Sequence, residues 1–182
     1  MKKIVWAVIL CICVGAILVM IFAKQNNSQI RVEPFMTFSS TAFANNTSIP
    51  SDFTCDGQNL RPDLSWSNLP EGTVSLAIIV DDPDAPSGDF VHWTIWNIDP
   101  SKQNGISSEL PSEATEGITG FGDSGWRGPC PPSGAHRYFF KLYALDSNLV
   151  LSGESTKATL VEAMEGHILG ETSFVGLYQR MK

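Results

Sequence analysis

Three groups of residues have types and spacings that could do chemistry. In the first, Asp81-Asp82-Pro83-Asp84-Ala85-Pro86 opens a loop in which four carboxylates fall between Asp81 and Asp89, stiffened by two prolines. His92 follows, and further on Gly128-Pro129-Cys130-Pro131-Pro132 precedes His136 and Tyr138. Imidazole N–H and phenol O–H groups donate to anionic oxygens, while a carboxylate beside them orients a histidine or accepts from an ammonium group. In the second, Gly122-Asp123-Ser124-Gly125 could present a serine nucleophile, with His92 and Asp99 before it in the chain. Such chemistry needs a buried aspartate to orient the histidine, and an oxyanion hole. A Gly-rich turn whose Asp and Ser bond to local backbone is the plainer reading. In the third, His167 and Glu171 are four apart but lack a third ligand, so His167 is expected to be half buried at a helix edge, with its ring nitrogens satisfied by backbone or water.

The elements that must position these side chains are mainly strands. Phe35–Phe43, Leu64–Trp66, Val74–Val80, Val91–Ile98 and Tyr138–Leu145 are rich in β-branched and aromatic residues and are bounded by Pro, Gly and Asp. Val74–Val80 and Val91–Ile98 read as central, buried strands on either side of the acidic loop. Residues 99–134 form a long glycine-rich stretch of low periodicity, a length that points to a functional or disordered loop. One helix is expected: Thr159-x-x-Glu162 has the form of a capping box, and Leu160, Ala163, Met164, His167 and Ile168 fall on one stripe, with Gly170 ending it. Phe174, Gly176 and Tyr178 then alternate in a last short strand.

Charge and hydropathy bound the function classes. Lys2, Lys3 and Lys24 are three of the twelve basic residues, and the first 29 positions hold no acid. That leaves nine basic against nineteen acidic side chains for the rest of the chain, a net of −10. No basic cluster follows Lys24, so nucleic-acid binding is disfavoured. Ile4–Ala23 is an uncharged run of twenty residues flanked by lysines, long enough to cross a bilayer as a helix. Two readings are open, a cleaved signal peptide or an uncleaved signal anchor; the length of the run and the poorly matched Ile21-Phe22-Ala23 favour the anchor. Either exports the domain to a periplasmic or extracellular location. The expected organisation is a membrane-addressing segment at 1–24, a tether at 25–34 and one domain at 35–182. In an oxidising compartment Cys55 and Cys130 are disulfide candidates; two buried free thiols are the alternative, and isolated cysteines supply too few ligands for a metal.

Taken in order and spacing, the blocks Asp82-Pro83-Asp84-Ala85-Pro86, His92-Trp93, Gly128-Pro129-Cys130-Pro131-Pro132 and His136-Arg137-Tyr138 resemble the phosphatidylethanolamine-binding protein family, in its bacterial Raf-kinase-inhibitor-like branch. Phe53-Thr-Cys-Asp-Gly57, Leu64-Ser-Trp66, Ala144-Leu-Asp146 and Gly166-His-Ile-Leu169 extend the resemblance over nearly all of residues 36–178. It implies a β-sandwich-like domain of two antiparallel sheets in a Greek-key arrangement, with a short C-terminal helix and a small anion pocket at one end. Asp82 and His92 would sit side by side there, with His136 and Tyr138 opposite and Pro131-Pro132 as a wall; Pro83, Ala85 and Pro86 complete the implied ligand-binding set. No metal or other cofactor is implied, and no catalytic residue.

Two departures stand out. Arg61 replaces the serine usual in the family, and Trp126 replaces a tyrosine. Arg61 would add a permanent phosphate donor if it approached the pocket, or point to solvent. The residues and the resemblance together favour a module binding a small phosphate-type anion or phosphoethanolamine headgroup. A protein-interaction or inhibitor module with an unknown protein target comes second, and a weak hydrolase using Asp82, His92 and His136 third.

Overall fold

A computed structural model describes residues 35–107 and 109–180 of the chain. The apolar segment 4–23 lies outside them; among the described residues no helix is long and apolar enough to cross a membrane. The described strands are β1 (Thr37–Ser40), β2 (Thr47–Ser48), β3 (Leu64–Ser67), β4 (Ser75–Asp82), β5 (Phe90–Ile98), β6 (Gly105–Ile106), β7 (Thr115–Glu116), β8 (Ala135–Leu145) and β9 (Ile168–Gln179), with one α-helix at Lys157–Met164 and a single 3-10 turn at Ser51–Phe53. They form a small sheet of order β1-β3-β6 and a large sheet of order β2-β9-β8-β4-β5-β7. Within the large sheet β4, β5 and β7 are neighbours and β8 returns beside β4, which is Greek-key order; β6 is diverted to the small sheet.

Why β4 carries an unbroken apolar run follows from the layering. Leu76, Ile78 and Val80 enter the core between the two sheets with Phe38, Trp66, Trp93, Phe140 and Phe174. Ala77 and Ile79 face the other way, into a second core closed by Leu149, Leu160 and Met164. A strand covered on both faces has no solvent side to make polar. Each large side chain fully buried here contributes about 1.5–3 kcal/mol.

The expected antiparallel pairing holds except at β2, which runs parallel to β9 with Thr47 opposite Gly176. Asn46 adopts a left-handed backbone (φ 60°) and donates its N–H to the Val175 carbonyl, while the Asn45 side chain accepts the Val175 N–H at 2.9 Å. A turn so anchored sends the short strand along β9 rather than back against it. Gly176 is required at this contact: a Cβ there would lie 2.5 Å from Ile49 Cγ1.

The helix begins and ends earlier than its sequence pattern suggests. Thr156 is the cap, its side-chain oxygen accepting the Thr159 N–H, so Thr159 belongs to the first turn instead of preceding it. Only Leu160 and Met164 are buried, and Gly166 at φ +78° then takes the chain out of helical geometry. His167 and Ile168 are therefore not on the helix stripe. Ile168 opens β9 opposite Leu145, and Gly170 pairs with Ala144 inside that strand; the short strand expected at 174–178 is the C-terminal half of a twelve-residue one. His167 is exposed instead of half buried, its Nδ1 lying 2.8 Å from Asp146 Oδ1.

Candidate ligand-binding site

Consecutive strand residues point to opposite faces, and Asp81 and Asp82 at the end of β4 show what that does to two adjacent carboxylates. Asp81 turns to the helix layer, where the Lys141 Nζ donates to it at 2.6 Å and Lys157 also bonds to it. Asp82 turns to the space between the sheets. Along β8, His136, Tyr138, Phe140, Leu142 and Ala144 alternate inward by the same rule, and all five are buried. His136 Nδ1 meets Asp82 Oδ2 at 2.7 Å; the other oxygen, Oδ1, accepts the Asp84 N–H at 2.9 Å. Asp84 is clamped by Arg137 through Nε, Nη2 and the backbone N–H, bonds that hold its pKa down to about 2. Both Asp82 oxygens are thus occupied by the protein, one by a turn that is itself braced.

His92 reaches the same place by a different device. Asp81 pairs with Val91 and Val80 with Trp93, so His92 is an extra residue on β5 with none opposite it. This bulge breaks the alternation: Trp93 packs in the inter-sheet core, and the His92 ring also lies against Tyr138, with centroids 5.1 Å apart. His92 Nδ1 is 2.6 Å from the Arg127 carbonyl. A carbonyl only accepts, so Nδ1 carries a hydrogen and Nε2 is the acceptor of the neutral ring. Burial lowers the His92 pKa, outweighing the hydrogen bond to Arg127, and keeps the ring neutral at pH 7.

Tyr138 is 1% exposed, and its buried hydroxyl makes no well-formed hydrogen bond, lying beside the Asp82 carboxylate and the Cys130 backbone. Burial first, and then the charge of Asp82, raise its pKa well above the ordinary phenol value, so the group stays a hydroxyl donor. Beside these residues stands the wall Gly128–Pro132. The Arg127 N–H donates to the His92 carbonyl, and the Cys55 N–H to the Pro129 carbonyl; the Gly128 N–H donates to Asn59 Oδ1 at 2.8 Å. Cys55 and Cys130 are joined in a disulfide with Cα atoms 5.4 Å apart. Gly128 packs so tightly that a Cβ would lie 2.3 Å from the Phe53 carbonyl oxygen.

With that geometry in view, residues 39–179 match the family model described as phosphatidylethanolamine-binding protein. The chain belongs to that family. The UPF0098 protein of Methanothermobacter thermautotrophicus is 48% identical over 151 residues, covering 80% of this chain and 99% of the relative. Among solved structures, the putative phosphatidylethanolamine-binding protein homologue CT736 of Chlamydia trachomatis superposes with a TM-score of 0.77 at 36% identity, covering 81% of this chain and 99% of its own. E. coli YbcL, described as a new member of the mammalian family, superposes at 0.76 with 28% identity over 81% and 100% of the two chains.

In this family member Asp82, His92, His136 and Tyr138 form one buried cluster, from three different strands. Pro131 is buried in the wall and Pro132 exposed beside it; Pro83 and Pro86 are exposed and Ala85 half buried on the turn after Asp82, where they shape that turn instead of joining the buried set. Arg61 takes neither expected course: its guanidinium lies over the Trp93 ring, 5.2 Å from the centroid, and Nη2 donates to the Ser107 carbonyl. Trp126 packs edge-to-face on Trp93 and against Phe140. At 122–125, Asp123 is ion-paired with Arg127 and Ser124 bridges Ile118, while Asp99 binds Ser101 in a turn beyond the far end of β5. Asp99 is thus separated from His92 by the length of β5, so the aspartate of that pattern does not orient its histidine.

Two contributors were not singled out from the sequence. Tyr178 lies opposite His136 on β9 and donates its hydroxyl to Asp56 at 2.8 Å; Asp56, next to the disulfide, also accepts from Arg180. Phe121 stands half exposed beside His92, with ring centroids 5.8 Å apart. Tyr178 was visible as an alternating strand residue, but nothing in its neighbourhood marks Asp56 as its partner.

Proposed function

We propose that this chain is a binding module for a small phosphate-type anion, of the kind carried by a phospholipid headgroup, held on the outer side of a membrane by residues 4–23. The observation that carries the reading is the convergence of the buried Tyr138 hydroxyl, which makes no well-formed hydrogen bond, with a histidine already oriented by Asp82. Leaving a buried donor unmet costs about 1–3 kcal/mol, a cost that an entering acceptor oxygen removes. His136 is bound to the protein through Nδ1 and has Nε2 for a ligand. Neutral His92 has Nε2 as an acceptor, suited to the hydroxyl of a singly protonated phosphate. The Tyr138 hydroxyl as donor, with two imidazole Nε2 atoms beside a carboxylate that is already hydrogen-bonded, suits a singly protonated phosphate monoester.

Titration calorimetry of the full chain in detergent micelles with phosphoethanolamine, inorganic phosphate and ethanolamine tests this. Binding of the two phosphate compounds, with none of ethanolamine, is the expected result; no binding of either phosphate compound overturns the reading.

A further inference from the structure

Beside the helix lies a groove of about 820 Å³, a volume in the range of binding pockets. The helix forms one wall, the segment 118–120 forms the other, and Val91 of β5 joins the lining. Backbone bonds hold these parts together: the Ile118 N–H donates to the Ser155 carbonyl just before the helix, and the Gly120 N–H to the Val91 carbonyl. Val91, Ile118, Ala158 and Val161 supply aliphatic side chains; Val91 and Ile118 are half buried, and Val161 is 40% exposed. The charges of the lining do not balance. Lys157, its basic residue, is committed to Asp81 and Asp89. Glu162 and Glu165 also line the groove, are exposed, and have no ion pair among the described residues. Like charges three positions apart repel each other, and at the C-terminal end of a helix they add to the negative pole of its carbonyls. A cation placed there relieves both. The net charge of −10 after the first 29 positions steers basic partners toward the same domain. A simple alkylamine would leave one of the two carboxylates unmet and most of the space empty.

We propose that this groove is a docking site for a protein partner, engaged through an extended surface segment that alternates aliphatic and basic side chains. The aliphatic side chains pack on Val161, Ile118 and Val91, and the basic ones pair with Glu162 and Glu165. The site is separate from the phosphate reading, because none of Asp82, His92, His136 and Tyr138 lines it.

Fluorescence anisotropy on the full chain in non-ionic detergent micelles tests it, with a dye-labelled, end-blocked pentapeptide of alternating valine and arginine as the probe and empty micelles as the blank. Saturable binding above the blank is the expected result, with a serine–arginine peptide about tenfold weaker and a valine–glutamate peptide not bound. Val161→Ser should weaken the valine–arginine peptide about threefold. Glu162→Gln combined with Glu165→Gln should weaken it about fivefold and flatten its dependence on salt. These three side chains are exposed, and circular dichroism identifies any variant that fails to fold; the wild-type comparisons decide the matter without it. Absence of saturable binding overturns the proposal. So does equal affinity for the serine–arginine peptide, which would reduce the effect to charge alone, or an unchanged affinity in the double glutamine variant. If hexylamine binds as tightly as the peptide, the occupant is a small amine and the protein partner is overturned.

Discussion

His136 Nδ1 and Asp82 Oδ2 lie 2.7 Å apart with both side chains more than nine-tenths buried, although 54 positions separate them in the chain. The pair joins β8 to the end of β4 and commits the Asp82 charge to a protein partner, which leaves His136 Nε2 for a ligand. His136→Ala is expected to weaken phosphoethanolamine binding by about 1–3 kcal/mol. His167→Ala, at an exposed surface pair, should leave the affinity unchanged. Calorimetry on both variants makes the contrast.

Because burial lowers the His92 pKa from 6.5, the unfolded imidazole takes up a proton near 6.5 while the folded one resists it. Acid therefore favours the unfolded chain: this contribution to stability is complete above pH 6.5 and is lost as pH falls toward the lower folded value. The urea midpoint should fall across that window, and His92→Gln should flatten the fall.

Cys55 and Cys130 close a span of 75 residues, for which chain entropy predicts a contribution of about 4 kcal/mol. Replacing both with serine should lower the unfolding free energy by up to this amount in urea titrations. Peptide mapping without reductant should recover the linked pair from the native protein.

Asp81 is buried, with Lys141 and Lys157 both bonded to it. Replacing either lysine with methionine leaves one partner and should cost about 1 kcal/mol. Replacing both strands the carboxylate and should cost about 3–5 kcal/mol, more than the singles added together. Chemical denaturation of the three variants measures the coupling.

The uncharged run Ile4–Ala23 should hold the protein in the membrane fraction until detergent is added. A mature chain beginning near Lys24 and recovered wholly in the soluble fraction would show that the segment is removed after export.

How far the sequence spoke for itself differs from element to element. The β4 and β5 runs were legible because a strand buried on both faces leaves no polar alternation to confuse it. The order of the Asp82, His92, His136 and Tyr138 blocks carried the family. The helix start was misread because Thr156 and Thr159 both stand three residues before a polar side chain, and only the backbone decides which one caps. Its end was misread because His167 and Ile168 continue a 3/4 spacing that the left-handed Gly166 cancels. Arg61 shows a different limit: stacking on Trp93 depends on a neighbour 32 positions away, which no local pattern encodes.

The unpaired position of His92 on β5 has one more consequence, for how this strand tolerates change. Apart from the histidine itself, side chains there can change so long as they fill their space, but length cannot. Deleting a single residue between Phe90 and Trp93 would restore regular pairing with β4, an outcome favourable to the sheet, and would remove the histidine from the Arg127 carbonyl. A lineage that lost one codon here would keep the β4–β5 pairing and lose the arrangement of the candidate site.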